Sequence, residues 1–287
     1  MKRVGFVGTE NSHTDDFIRF LNIEDRHEPY RVTALAGGRS ERNEKLAATT
    51  GVSTIVERPE DLIDRVDAVI ISSRDGSQHK AEACPLITAG IPVLVDKPLA
   101  ASVGDAEAIL DTAAQSGVSV LSASAMRFVP EVTGLLSSAE SIGRLRQINV
   151  VGPADPDSSY SGLFFYGIHH VEAALELLGN PVANRIDRLQ AGRRDDLTTA
   201  SFDLAGVQVN LTFITPADNH RVPFHASLIG ADGVAGSTLV PGRDYNAPAL
   251  QEFVNICEGK SPRLTGEQLL APVKILSAIV SVLEGQR

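Results

Sequence analysis

Short apolar, β-branched runs recur through the first part of the chain, at Arg3 to Val7, Arg31 to Ala36, Val66 to Ser72, Pro92 to Val95 and Val118 to Ser122. Runs of this length and type read as strands buried on both faces. Between them the spacing turns helical. Phe17, Ile18 and Leu21 share one face; Glu41 to Thr50 forms a second helix; a third contains Pro85 and ends at Gly90; Ser102 to Ser116 forms a fourth. Repeated β-α units with short connections predict a doubly wound parallel sheet over residues 1–122.

Residues 123–130, Ala-Ser-Ala-Met-Arg-Phe-Val-Pro, mark a boundary, and a second domain is expected over 123–287. Its strands alternate instead of running apolar throughout: Arg144 to Val151, Arg185 to Gly192, Thr198 to Leu204, Val207 to Ile214 and Phe224 to Ile229. Ala205-Gly206 separates two of them at hairpin length. The pattern predicts an α/β domain with a largely antiparallel open sheet. From Thr265 the tail reads as a helix. Thr265 and Gln268 form a capping box, and Leu269, Val273, Leu276, Val280 and Leu283 form a core stripe.

The chain's 287 residues, 43% hydrophobic and 22% charged, match a globular protein of one large or two ordinary domains. No apolar run approaches the roughly 20 residues that span a bilayer, and the amino terminus passes into a strand without a signal-peptide pattern. Cytoplasmic localisation and no membrane partner are expected. Cys84 and Cys257 have no pair spacing, which suggests neither a disulfide framework nor a metal site. A net charge of −10 without a basic cluster argues against nucleic acid.

The Pro92–Val95 run delivers Asp96, Lys97 and Pro98 to the carboxyl edge of the sheet, where open α/β sheets bind ligands. A lysine partly desolvated there can serve as a proton donor. The first strand runs into Gly8-Thr9-Glu10-Asn11-Ser12-His13, placed like a dinucleotide-binding G-x-G-x-x-G. Only Gly8 matches; Glu10 and His13 take the other glycine positions, and a carboxylate there repels a pyrophosphate unless it points away. Ser12 with Asp15 can cap the following helix, leaving N–H groups for a phosphate. Gly8, Thr9, Asn11, Ser12 and His13 are cofactor candidates from this turn.

After the second strand, where an NAD-binding unit carries an acid for the ribose 2′-hydroxyl, stand Gly37, Gly38, Arg39 and Ser40. Losing the carboxylate and gaining a guanidinium suits a 2′-phosphate, so Gly38, Arg39 and Ser40 point to NADP ahead of NAD. Ser72, Ser73 and His79 are expected near the nicotinamide ribose, with a helix-start role open for His79. In the second domain, Ser161 to Gly179 reads as a loop entering a helix that carries His169 and Glu172 three residues apart, on one face. A histidine beside a carboxylate is a tunable proton-transfer group. His169 and Lys97 would give two donors able to converge on one substrate oxygen. A structural pair or half of a metal site is the open alternative for His169 and Glu172.

Together, Val66–Ser72, Val93 to Ala100, Arg127-Phe128 and Gly167 to Glu172 resemble the glucose–fructose oxidoreductase, inositol dehydrogenase and rhizopine-catabolism (Gfo/Idh/MocA) family. The family's Glu-Lys-Pro stands here as Asp96-Lys97-Pro98. His169 and Glu172 match its second-domain motif, while Phe165 replaces the Asp four residues before the His. The resemblance implies an N-terminal Rossmann domain and a C-terminal α/β domain, often in a homodimer or homotetramer. It implies NAD(P)-dependent oxidation of a sugar or cyclitol hydroxyl, with Lys97, His169 and Glu172 catalytic and Asp96 and Lys97 on the cofactor side. Arg127, Tyr160 and Tyr166 join Lys97 and His169 as candidate substrate contacts. No metal is implied. Two rivals remain: a glycoside-cleaving or lyase enzyme with a transiently reduced nicotinamide, and a non-catalytic nucleotide- or sugar-sensing regulator.

Overall fold

The computed structural model describes residues 1–217 and 221–286, and the chain divides into two compact units. The first comprises Met1–Ala123 with Asn246–Arg263; the second comprises Ser124–Tyr245 with Leu264–Arg287.

The first unit is built on strands β1 (Lys2–Val7), β2 (Tyr30–Ala36), β3 (Thr54–Val56), β4 (Ala68–Ile71), β5 (Val93–Val95) and β6 (Val120–Leu121). All pair in parallel, in the order β3-β2-β1-β4-β5-β6. This is the doubly wound order, in which the strand sequence reverses beside β1 and opens a crevice at the carboxyl ends of β1 and β4. Helices α1 (Ser12–Ile18), α2 (Ser40–Thr50), α3 (His79–Thr88) and α4 (Val103–Ser116) connect the strands. Ser102 caps α4 by accepting the Asp105 N–H, and Gly117 ends it in the left-handed region, a paired start and stop signal.

In the second unit, helices α5 (Pro130–Ala139) and α6 (Leu163–Leu177) accompany strands β7 (Leu145–Pro153), β8 (Asp187–Arg194), β9 (Leu197–Leu204), β10 (Val207–Ile214), β11 (Phe224–Gly230) and β12 (Val234–Leu239). Their order is β12-β11-β7-β10-β9-β8. Pairing is antiparallel except between β7 and β10, so the sheet is mixed. Alternation gives it one apolar face, including Ile148, Val150, Leu211, Phe213 and Leu228, all essentially inaccessible. Its other face is polar: Asn149 donates to Ser227 at 3.0 Å and accepts from Asn210 at 2.9 Å.

Two further helices complete the chain, α7 (Ala247–Cys257) and α8 (Gly266–Glu284). The units are not separated by one cut after residue 122, because α7 returns to the first. Leu250, Phe253, Val254 and Ile256 join a core cluster with Phe6, Phe17, Phe20 and Tyr30. Asn246 donates to Asp16 at 3.0 Å at the same junction. Each large apolar side chain so buried contributes about 1.5–3 kcal/mol. Thr265 and Gln268 do cap α8 reciprocally. By length and composition α8 could cross a membrane, with a mean hydropathy of 1.4 over its most apolar window. Here it packs against α6 and β8, burying Leu269, Val273 and Leu276.

Candidate active site

β1 is followed by Gly8, whose φ of +71° lies in the left-handed region open to glycine. The turn passes so close to the end of β4 that a Cβ on Gly8 would fall 2.3 Å from Ser73 Oγ. Asn11, rather than Ser12, caps α1: its extended backbone lets the side chain accept the His13 N–H at 3.2 Å, while Ser12 is exposed. Asp96 follows β5 and is buried. Its carboxylate accepts from Asn11 Nδ2 and pairs with His13 Nδ1, each at 2.8 Å. Burial alone would raise this carboxyl, but His13 first, then Lys97 and His79, outweigh it and hold it well below the usual carboxylate range. Asp96 therefore fastens the first turn to the sheet edge as an anion. Lys97 is buried beside it.

At the end of β2 the chain does something its linear pattern does not announce. Glu10 reaches over from the first turn, and its Oε1 accepts the Arg39 N–H at 3.0 Å. A Cβ on Gly38 would fall 2.9 Å from that oxygen and 2.9 Å from Thr9 Oγ1. Thr9 donates to Asn43 Oδ1 at 2.5 Å, and Asn43 Nδ2 donates to the Gly37 carbonyl at 2.6 Å. Arg42 donates to the Thr9 carbonyl and pairs with Asp15 at 2.7 Å. Gly38, Arg39 and Ser40 are exposed. A glycine turn after β1, with an open turn and a carboxylate after β2, fits the ribose of a dinucleotide.

Ser72, Ser73 and His79 were expected on the cofactor, and the structure gives them bracing bonds. Ser72 donates to the Gly8 carbonyl at 2.7 Å and lies 2.8 Å from Thr14 Oγ1. Ser73 donates to Glu82 at 2.7 Å. The fully buried His79 ring faces the Pro98 carbonyl at 2.8 Å through Nδ1 and the Ser73 carbonyl at 3.0 Å through Nε2. Buried backbone carbonyls stand against both nitrogens, which leaves neither open to a ligand.

In the second unit, Ser161 and Gly162 lead into α6, which buries His169 and Glu172 on one face. They are joined through a third residue. Ser124 Oγ lies 2.6 Å from His169 Nδ1, and the Ser124 N–H donates to Glu172 Oε2 at 2.6 Å. The same Glu172 oxygen accepts from Arg127 Nε at 2.5 Å, and Arg127 Nη1 pairs with Glu176 at 3.2 Å. Arg127, expected to touch substrate, is 4% exposed, and its guanidinium is taken up by these carboxylates. The ring of Tyr166 lies 5.4 Å from that of His169, and Phe224 stands 5.6 Å away on another edge. Phe165 packs between Tyr160 at 4.8 Å and Tyr166 at 5.0 Å, in place of a carboxylate. Among the described residues no group of three or more His, Cys, Asp or Glu side chains could hold a metal ion. Ser124 carried no signal in the sequence, since a serine in a domain connection resembles any other.

The Gfo/Idh/MocA family model, described as an oxidoreductase family with an NAD-binding Rossmann fold, matches residues 2–124. Over those residues the chain is similar to the Gfo/Idh/MocA family. The chain is 26% identical over 200 residues to the scyllo-inositol 2-dehydrogenase (NADP(+)) of Bacillus subtilis, covering 63% of this chain and 60% of that protein. It is 29% identical over 190 residues to the inositol 2-dehydrogenase of Rhodococcus erythropolis, covering 63% of this chain and 52% of that protein. The chain thus spans between half and two thirds of these relatives. A Lactobacillus casei scyllo-inositol dehydrogenase, solved with NAD(H) and scyllo-inositol, has the same fold, with a TM-score of 0.83 at 18% identity over 100% of this chain and 98% of that one. The family match ends at Ser124, the residue at which the second unit begins.

Proposed function

We propose that the chain is an NAD(P)-dependent oxidoreductase that transfers a hydride between nicotinamide and a hydroxyl-bearing carbon of a sugar or cyclitol. The observation that carries this reading is Lys97, buried beside anionic Asp96 at the carboxyl end of β5 in a Gfo/Idh/MocA domain. Ligands of such sheets sit outside that edge. The inositol dehydrogenases among its relatives support a cyclitol or similar polyol as the substrate class.

A bound nicotinamide would supply the hydride acceptor. This chain's residues do the rest. His169 takes the proton of the hydroxyl through Nε2, because Nδ1 is engaged by Ser124. Lys97 is assigned the stabilisation of negative charge that develops during the reaction. Tyr160 and Tyr166 offer hydroxyls to the polyol. Glu172 and Arg127 act one step removed: Glu172 holds the Ser124 backbone N–H, and Arg127 holds Glu172.

Incubating the purified protein with NAD+ or NADP+ and a panel of sugars and inositols tests this, with reduced-nicotinamide absorbance as the readout. Reduction by at least one polyol is expected. A protein that binds the dinucleotide but reduces it with none of them would overturn the assignment.

A further inference from the structure

Resting on the reading of the first unit as a nicotinamide-dinucleotide site, we propose that Glu10 sets cofactor choice at the adenosine ribose, favouring NAD(H) over NADP(H). In a doubly wound domain the acid that holds the ribose 2′-hydroxyl ends the second strand. β2 ends instead in Gly37-Gly38-Arg39, yet a carboxylate stands against that turn. It is Glu10, supplied by the turn after β1 and held there by the Arg39 N–H at 3.0 Å.

The surroundings keep it in place. Gly38 has no Cβ, and one would fall 2.9 Å from Glu10 Oε1, so the missing side chain is what lets the carboxylate lie over the turn. Thr9 is tied to Asn43 and, through it, to Gly37, which locks the two turns together.

The groups that would welcome a 2′-phosphate are engaged elsewhere. Such a phosphate brings a charge of about −1.5 to −2 and seeks backbone N–H groups and guanidinium forks. The Arg39 N–H already donates to Glu10. Arg42 is occupied by Asp15 and the Thr9 carbonyl. Arg39 itself carries its charge in solvent, where screening weakens it. A ribose 2′-hydroxyl can donate to Glu10 without any of these costs.

The test is equilibrium titration of the full chain with NADH and with NADPH, by nicotinamide fluorescence, for the wild type, Glu10→Gln and Glu10→Ala. Thermal melting confirms that each variant is folded. The wild type should bind NADH at least about tenfold more tightly than NADPH. Glu10→Gln keeps an acceptor for Arg39 but removes the charge, and should narrow that ratio about tenfold. Glu10→Ala also frees the Arg39 N–H and should narrow it further. A wild type that prefers NADPH, or a ratio unmoved in both variants, would overturn the role of Glu10 while leaving the dinucleotide site standing. Binding of neither cofactor would overturn both.

Discussion

Ser124 Oγ lies 2.6 Å from His169 Nδ1 while the Ser124 N–H donates to Glu172, so a residue outside α6 links the two side chains that helical spacing had paired. Ser124 also accepts the Met126 N–H at 3.1 Å, which orients its hydroxyl. The histidine is held by a serine where a carboxylate would be expected, and the carboxylate works on the serine.

Removing that hydroxyl should change the histidine more than the fold. A hydrogen bond to a group that becomes charged is worth about 1.5–3 kcal/mol, or roughly ten- to a hundredfold in rate. Ser124→Ala should lose that much turnover and shift the histidine limb of the pH–rate profile, with Ser124→Thr restoring most of it. An unchanged profile in Ser124→Ala would show that Ser124 is only packing.

Arg127 is expected to matter for stability before substrate affinity. Truncating it leaves buried Glu172 and half-buried Glu176 without their cation. Breaking one side of such a pair costs about 3–5 kcal/mol. Arg127→Met should therefore lower the urea midpoint sharply, and the double variant with Glu172→Gln should recover part of the loss. A midpoint within error of wild type would contradict the buried network.

His170 gives the second unit an acid limit. It lies between Phe213, 4.7 Å away, and Phe224, 5.0 Å away, and burial pushes its imidazole down to about 4 from an ordinary 6.5. The unfolded chain thus binds the proton more readily than the folded one. The penalty is absent above about pH 6.5, grows as pH falls, and is complete below about pH 4 at about 3 kcal/mol. Thermal melts from pH 7.5 to 4, a range of roughly that titration, should show this loss, and His170→Phe should flatten it. Equal slopes in both proteins would exclude His170 as the source.

Lys97 tests the chemistry itself. Lys97→Ala should lose turnover by roughly 10²–10⁴-fold, the usual worth of a proton-transfer or charge-stabilising group. NADH affinity should stay within a few fold by titration. Full turnover in this variant would remove Lys97 from the reaction.

Much of the first unit was legible because both faces of its sheet are buried, so β4 and β5 appear as unbroken apolar runs and β1 and β2 as largely apolar ones. β3, only Thr54–Val56 at the sheet edge, is too short to stand out, and β12 is interrupted by Gly236 and Ser237. α7 was invisible as part of the first unit because its partners Phe6 and Phe20 lie at the other end of the chain. The parallel β7–β10 pair could not be read either, since alternation reports a face and not a direction. At the site, Lys97, Asp96 and His169 could be picked out by motif. The partnerships could not: Glu10 with Gly38 and Ser124 with His169 join residues distant in sequence. The chemistry of Glu10 looked like an obstacle to a phosphate until the turn it lies over was known.

The most direct test of net hydride transfer is to oxidise a polyol deuterated at its carbinol carbons and look for deuterium on the nicotinamide released into solution. The account predicts label on the free reduced cofactor with the wild type, appearing far more slowly with Lys97→Ala or His169→Ala. Conversion of the polyol with no label in the released nicotinamide would contradict it, and would mean that the cofactor is oxidised and reduced again without leaving the protein.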